Sequence, residues 1–166
     1  VALFNGAERV DADTITHFCQ TFEACGFSAN SLLPCYGMAE CTLMVTSRRS
    51  NTRLVVKKVN DRGEIDDQCA ERNSSASLVS CGSVTGTTKV AIVKPDEADS
   101  LPANKVGEIC VHGSSVTPGY LIAGEHMLTK THDTEVWIDG LRYFRTGDLG
   151  FIHNVLYELE FGPYHR

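Results

Sequence analysis

LPCYGMAECTLMV, residues 33–45, decides how the chain is read. Its start predicts a short strand over 32–35, a glycine follows a tyrosine, and one acid, Glu40, stands in an otherwise apolar run. The apolar residues after it predict the start of a second helix over 39–45. Upstream, residues 4–10 begin as a strand and break at Asn5-Gly6. DADTITHFCQTFEACGF (11–27) then places Ile15, Phe18, Cys19 and Phe22 at helical spacing. Asp11 or Asp13 is suited to cap that helix, and Gly26 to a left-handed stop. Strand, helix, strand, helix is the grammar of a parallel sheet covered by helices.

Downstream the grammar changes. Residues 47–77 mix charge with Asn, Ser and Gly, and LVVKKV (54–59) is their one strand-like run. Such a segment has too little to bury to offset its ordering entropy, so any order must come from docking on the rest of the protein. Short strand signals then recur between turns: LVSC (78–81), KVAIV (89–93), VGEICVHG (106–113), and the pair EVWI (135–138) and YFRT (143–146) around Asp139-Gly140, a strong hairpin signal. The expected fold class is α/β followed by β-rich: the end of a parallel α/β subdomain, then a distorted antiparallel, barrel-like one. The expected divisions are 1–46, a loop-rich insertion over 47–80, a β-rich part over 81–154 and a tail over 155–166.

The 166 residues carry a formal charge of -6, which counts against a nucleic-acid partner, since that binding is built from clustered Lys and Arg. No apolar run approaches the roughly 20 residues of a spanning helix, and VALFNGAERV lacks the layout of a secretory signal. The seven cysteines are an odd number without any CxxC, which argues against a disulfide framework or a zinc site and for inert thiols in the cytoplasm.

Three short motifs carry chemistry, each with a plainer alternative. In YGMAE (36–40), glycine at a turn lets backbone approach a flat ligand against the tyrosine ring, and the acid can reach a hydrated cation. It equally describes a buried tyrosine packing a turn beside a solvated Glu40. FNGAE (4–8) follows a strand where ligands bind in parallel α/β sheets, with small residues leaving room for a base, or is a generic turn. YFRTGDLG (143–150) offers Gly147 for a sharp turn and Asp148 as acceptor for a ribose diol, or a hairpin cap.

With GEICVHGSSVTPGYL (107–121) between the second and third, these motifs stand in one order, and the chain resembles the adenylate-forming superfamily of acyl-CoA synthetases, luciferases and peptide-synthetase adenylation domains. It is most similar to the fatty acyl-AMP ligase branch, over about residues 1–154. The resemblance implies that Gly6, Ala7 and Glu8 line an adenine pocket, and that Tyr36 stacks on the base, with Gly37, Met38 and Ala39 continuing that wall. It further implies that Glu40 is the catalytic acid that holds Mg2+ and that Asp148 binds the ribose hydroxyls of ATP. Gly107, Glu108, Gly119 and Tyr120 match a motif of largely structural role.

Ala39, where CoA ligases commonly show Thr, and the insertion point to the acyl-AMP branch. The implied reaction is fatty acid plus ATP giving acyl-AMP and pyrophosphate, the acyl group passing to an acyl carrier protein or polyketide synthase. The insertion would restrain a mobile C-terminal domain from the pose that thioester formation with CoA needs. The family's phosphate-gripping loop, its hinge Arg and its C-terminal Lys have no counterparts here, so the chain reads as an internal fragment, expected to be inactive alone. A fragment of an acyl-CoA synthetase and a non-catalytic ligase-like binding module remain the alternatives.

Overall fold

The computed structural model describes residues 1–50, 52–60, 65, 76–121, 128–129, 134–153 and 159–164. β1 (Leu3–Asn5) leads through α1 (Ala12–Glu23) to β2 (Leu32–Gly37), which lies parallel to β1 with Leu3 opposite Leu32. Asp11 caps α1: its Oδ1 accepts from the Thr14 N–H at 2.8 Å and the Thr14 hydroxyl at 2.6 Å. Such a cap is worth about 1 kcal/mol. Ala12 and Ile15 face inward, Phe18 packs against Phe22 and Phe27, and Gly26 takes φ 82° past the helix end.

The second helix expected over 39–45 does not form. Ala39–Cys41 is a single 3-10 turn, and β3 (Met44–Ser47) returns antiparallel to β2. The cause is local. Backbone at 37 and 43 approaches so closely that a Cβ on Gly37 would collide with the Leu43 carbonyl. Thr42 then turns the chain at φ 71°, ψ -59°, a conformation that ends a helix and costs a β-branched residue on the order of 1–3 kcal/mol. β4 (Val56–Val59) and β5 (Ala76–Val79) form an antiparallel pair from the two ends of the expected insertion. Much of that insertion, 61–64 and 66–75, lies outside the described residues. β6 (Ser83–Val84), beyond it in sequence, completes the first sheet in the order β1-β2-β3-β6.

The second half is antiparallel throughout. β7 (Lys89–Val93), β8 (Gly107–His112), β11 (Glu135–Ile138) and β12 (Leu141–Ile152) lie in the order β11-β12-β8-β7, and β13 (Leu159–Tyr164), from the expected tail, also pairs with β12. β9 (Tyr120–Leu121) and β10 (Leu128–Thr129) form a separate short ladder. The β11–β12 hairpin turns on Asp139 and Gly140 at φ 50° and 75°, the paired left-handed residues of a type I′ turn.

The largest core cluster among the described residues runs under both halves: Ile15, Leu32, Tyr36 and Val45 share it with Val79, Ile92, Ile109 and Val111. The β4–β5 pair docks on the second sheet through Val59 and Leu78 against Phe151, all at most 3% exposed. Full burial of such a side chain stabilises by about 1.5–3 kcal/mol, and this contact orders the ends of the polar insertion.

Candidate functional site

Tyr36, next to the last residue of β2, is almost wholly buried, at 8% exposure, and its hydroxyl donates to Asp148 Oδ2 at 2.7 Å. Burial pushes the hydroxyl's pKa well above its ordinary value, and the Asp148 charge adds to it. Tyr36 is therefore a donor at every working pH. Asp148 reaches it from a bulge in β12. Along the β8–β12 ladder, Arg145 pairs with Cys110 and Leu149 with Glu108, so β12 carries extra residues between these pairs and bows outward. Gly147 sits there at φ 77° with nothing near the Cβ it lacks, so it is the left-handed backbone that calls for glycine. The Asp148 N–H donates to Thr146 Oγ1 at 3.1 Å, and that hydroxyl donates to the Ile109 carbonyl at 2.9 Å.

Beside this pair lies a cavity of about 70 Å3 that Ala7, Glu8, Tyr36, Gly37 and Asp148 help to line. The structure thus brings together residues from three motifs spread over the sequence. At about 70 Å3 the cavity is smaller than the roughly 300–1,000 Å3 of small-molecule sites. Arg9, Val10, Cys35 and Cys81 line it too and were missed. Arg9 directly follows FNGAE, where its adjacency was the available signal. Cys81 had none, because its place depends on Gly82, whose φ is 79° and whose Cβ would collide with Ser47 and Arg48 backbone.

Four expected residues do not line the cavity. Gly6 lets β1 approach β2, since a Cβ there would lie 2.7 Å from Cys35 Sγ. Met38 is extended and packs on the core, and Ala39 is exposed on the 3-10 turn. Glu40 stands apart from the wall. Its Oε1 accepts from the Tyr120 hydroxyl at 3.1 Å and its carbonyl from the Thr117 N–H at 2.7 Å, so the loop carrying GEICVHGSSVTPGYL packs on the YGMAE turn. The Tyr120 hydroxyl is shifted upward by burial and by this bond. No group of three or more His, Cys, Asp or Glu side chains gathers among the described residues. One half-buried carboxylate nevertheless fits Mg2+, which is commonly held by one or two carboxylates together with substrate phosphates.

Glu108 does not line the cavity but contacts the bulge that carries Asp148. Buried at 8% exposure, it pairs with Arg145 through Oε2 and accepts the Gly147 N–H on Oε1 at 3.2 Å, while Arg145 also donates to the Glu97 carbonyl. Gly107 beside it has no room for a Cβ against the Val93 carbonyl.

A short mixed sheet joined to a larger antiparallel one, with a small cavity lined by Tyr36 and Asp148, defines a class of fold, and comparison with known proteins names it. Residues 1–121 match the AMP-binding enzyme family, and the chain belongs to it. It is 36% identical over 160 residues to Medium-chain-fatty-acid--[acyl-carrier-protein] ligase TtuA of Teredinibacter turnerae, covering 90% of this chain and 25% of that one. It is 34% identical over 154 residues to Medium-chain-fatty-acid--[acyl-carrier-protein] ligase JamA of Moorena producens, with 89% and 26% covered. The crystal structure of a fatty acyl-adenylate ligase from L. pneumophila, in complex with acyl adenylate and pyrophosphate, superposes with a TM-score of 0.77 at 33% identity, covering 98% of this chain and 29% of that one. The fold is that of adenylate-forming enzymes, and the chain spans about a quarter of the length of the curated relatives it matches.

Proposed function

We propose that this chain forms the adenine and ribose side of a fatty acyl-AMP ligase, which joins a fatty acid to ATP with release of pyrophosphate and passes the acyl group to a carrier protein or polyketide synthase. The observation that carries this reading is the Tyr36–Asp148 hydrogen bond at the cavity wall. Tyr36 offers its ring to the base and commits its hydroxyl to Asp148 Oδ2, which leaves Oδ1 to accept from a ribose hydroxyl. Ala7 and Glu8 close the other side of the base. Glu40 would hold Mg2+, which supplies positive charge to the phosphates as the α-phosphorus is attacked. Tyr120 fixes the Glu40 carboxylate in place beforehand.

Docking of the β4–β5 pair on Phe151 gives the described ends of the insertion a fixed place, which supports the acyl-AMP branch. The divisions 1–46, 47–80, 81–154 and 155–166 remain our working boundaries. The six described cysteines are all free thiols, which suits a reducing cytoplasm.

The test is incubation of the full-length protein with radiolabelled fatty acid, ATP and Mg2+, with and without CoA. Acyl-AMP as the product in both is expected. Acyl-CoA in the second would make it a CoA-ligase relative, and neither product would make it a binding module.

A further inference from the structure

We infer that Glu108 is a positioning residue for nucleotide binding: through Arg145 and the Gly147 N–H it fixes the direction in which Asp148 presents its carboxylate. This rests on the reading of Asp148 as the ribose acceptor.

The geometry is specific. β12 runs from Arg145 to Leu149 while β8 moves only from Cys110 to Glu108, so residues 146–148 form the bulge. Bulges of this kind re-aim side chains beside functional sites. Glu108 stands at the closing register pair and uses both carboxylate oxygens across the bulge, Oε2 on the Arg145 guanidinium and Oε1 on the Gly147 N–H. The ion pair is buried, with side-chain exposures of 13% for Arg145 and 10% for Glu108.

A buried ion pair is a weak source of stability, and an apolar pair of similar volume commonly serves a sheet as well. An apolar residue at 108 would, however, leave the Gly147 N–H without its acceptor and the bulge without a brace on either side. Gly147 immediately precedes Asp148, whose own N–H is taken by Thr146 and whose Oδ2 receives the Tyr36 hydroxyl. Constraint therefore passes from Glu108 to Gly147 to Asp148 without a free joint. Glutamine at 108 puts a donor NH2 where one carboxylate oxygen stood, so it faces either the Arg145 guanidinium or the Gly147 N–H donor to donor.

The experiment measures binding of ATP and of 2′-deoxy-ATP to the full-length protein by calorimetry, for the parent, Asp148→Ala, Glu108→Gln and Arg145→Lys, with a thermal melt of each. Removing Asp148 should cut the preference for ATP over 2′-deoxy-ATP by about tenfold. Glu108→Gln should lose most of that preference while keeping its affinity for 2′-deoxy-ATP. If Asp148→Ala keeps the preference, the reading of Asp148 as acceptor for the ribose 2′-hydroxyl falls and this inference with it. If Asp148→Ala loses it and Glu108→Gln keeps it, or Glu108→Gln weakens both nucleotides equally, Glu108 is a brace for the sheet and the inference alone is overturned. Should Glu108→Gln fail to fold, Arg145→Lys carries the same test. It takes away the planar guanidinium that holds Glu108 Oε2 while anchored on the Glu97 carbonyl, so the Glu108 carboxylate loses its fixed direction, and the same outcomes decide it.

Discussion

Burial sets the chemistry of single residues here. Cys41 and Cys110 are wholly enclosed, and burial pushes their thiols from the ordinary 9.0 up to about 11 and about 12. Above pH 9 the unfolded chain releases protons that the native protein still holds, so stability is full below that pH and falls as pH rises toward 11. The melting temperature should therefore drop between pH 9 and 11, and Cys41→Ala should flatten that slope; a melting temperature unchanged over this range would refute the assignment. At this scale the sequence was partly legible. The motifs name Tyr36, Ala7, Glu8 and Asp148, and these line one cavity, yet the bond between Tyr36 and Asp148 joins positions 112 apart, which no local pattern encodes. The resemblance implies a largely structural role for Glu108, and its bond to a bulge N–H exists only once β12 is paired.

Among the elements, those with strong local signals formed as expected: α1 from its cap and spacing, the β11–β12 hairpin from Asp139-Gly140. The failure is the return strand β3. TLMV suits helix and strand alike, since a short apolar run does not separate them by period. The deciding events are the close approach at Gly37 and the positive φ of Thr42, a residue type that gives no notice of it. Gly37→Ala tests this account. Its added methyl meets backbone, which cannot swing aside as a side chain can, so the protein should lose about 1–3 kcal/mol in urea unfolding. An unchanged midpoint would show that the β2–β3 approach is looser than described.

On the scale of the whole molecule, composition indicated two grammars in sequence but could not show that they share one core. Val79, Ile92 and Ile109 pack with Ile15 and Leu32, because β6 crosses back to the first sheet and carries the second half with it. The chain also leaves large apolar side chains in solvent, with Phe4 at 56%, Leu43 at 72%, Leu121 at 69% and Trp137 at 66% exposure, and β1 is an edge strand. Exposed edges and apolar surface favour association. The 166-residue chain expressed by itself should scatter light as oligomers; a monodisperse monomer would contradict that.

The central claim is that Tyr36 and Asp148 together hold a nucleoside. Calorimetric titration of ATP into the full-length protein tests it most directly. Tyr36→Ala removes the ring and the donor, Asp148→Ala the acceptor, and each should weaken ATP by roughly 1–3 kcal/mol. ATP affinity unchanged in both variants, with melts showing both folded, would contradict it.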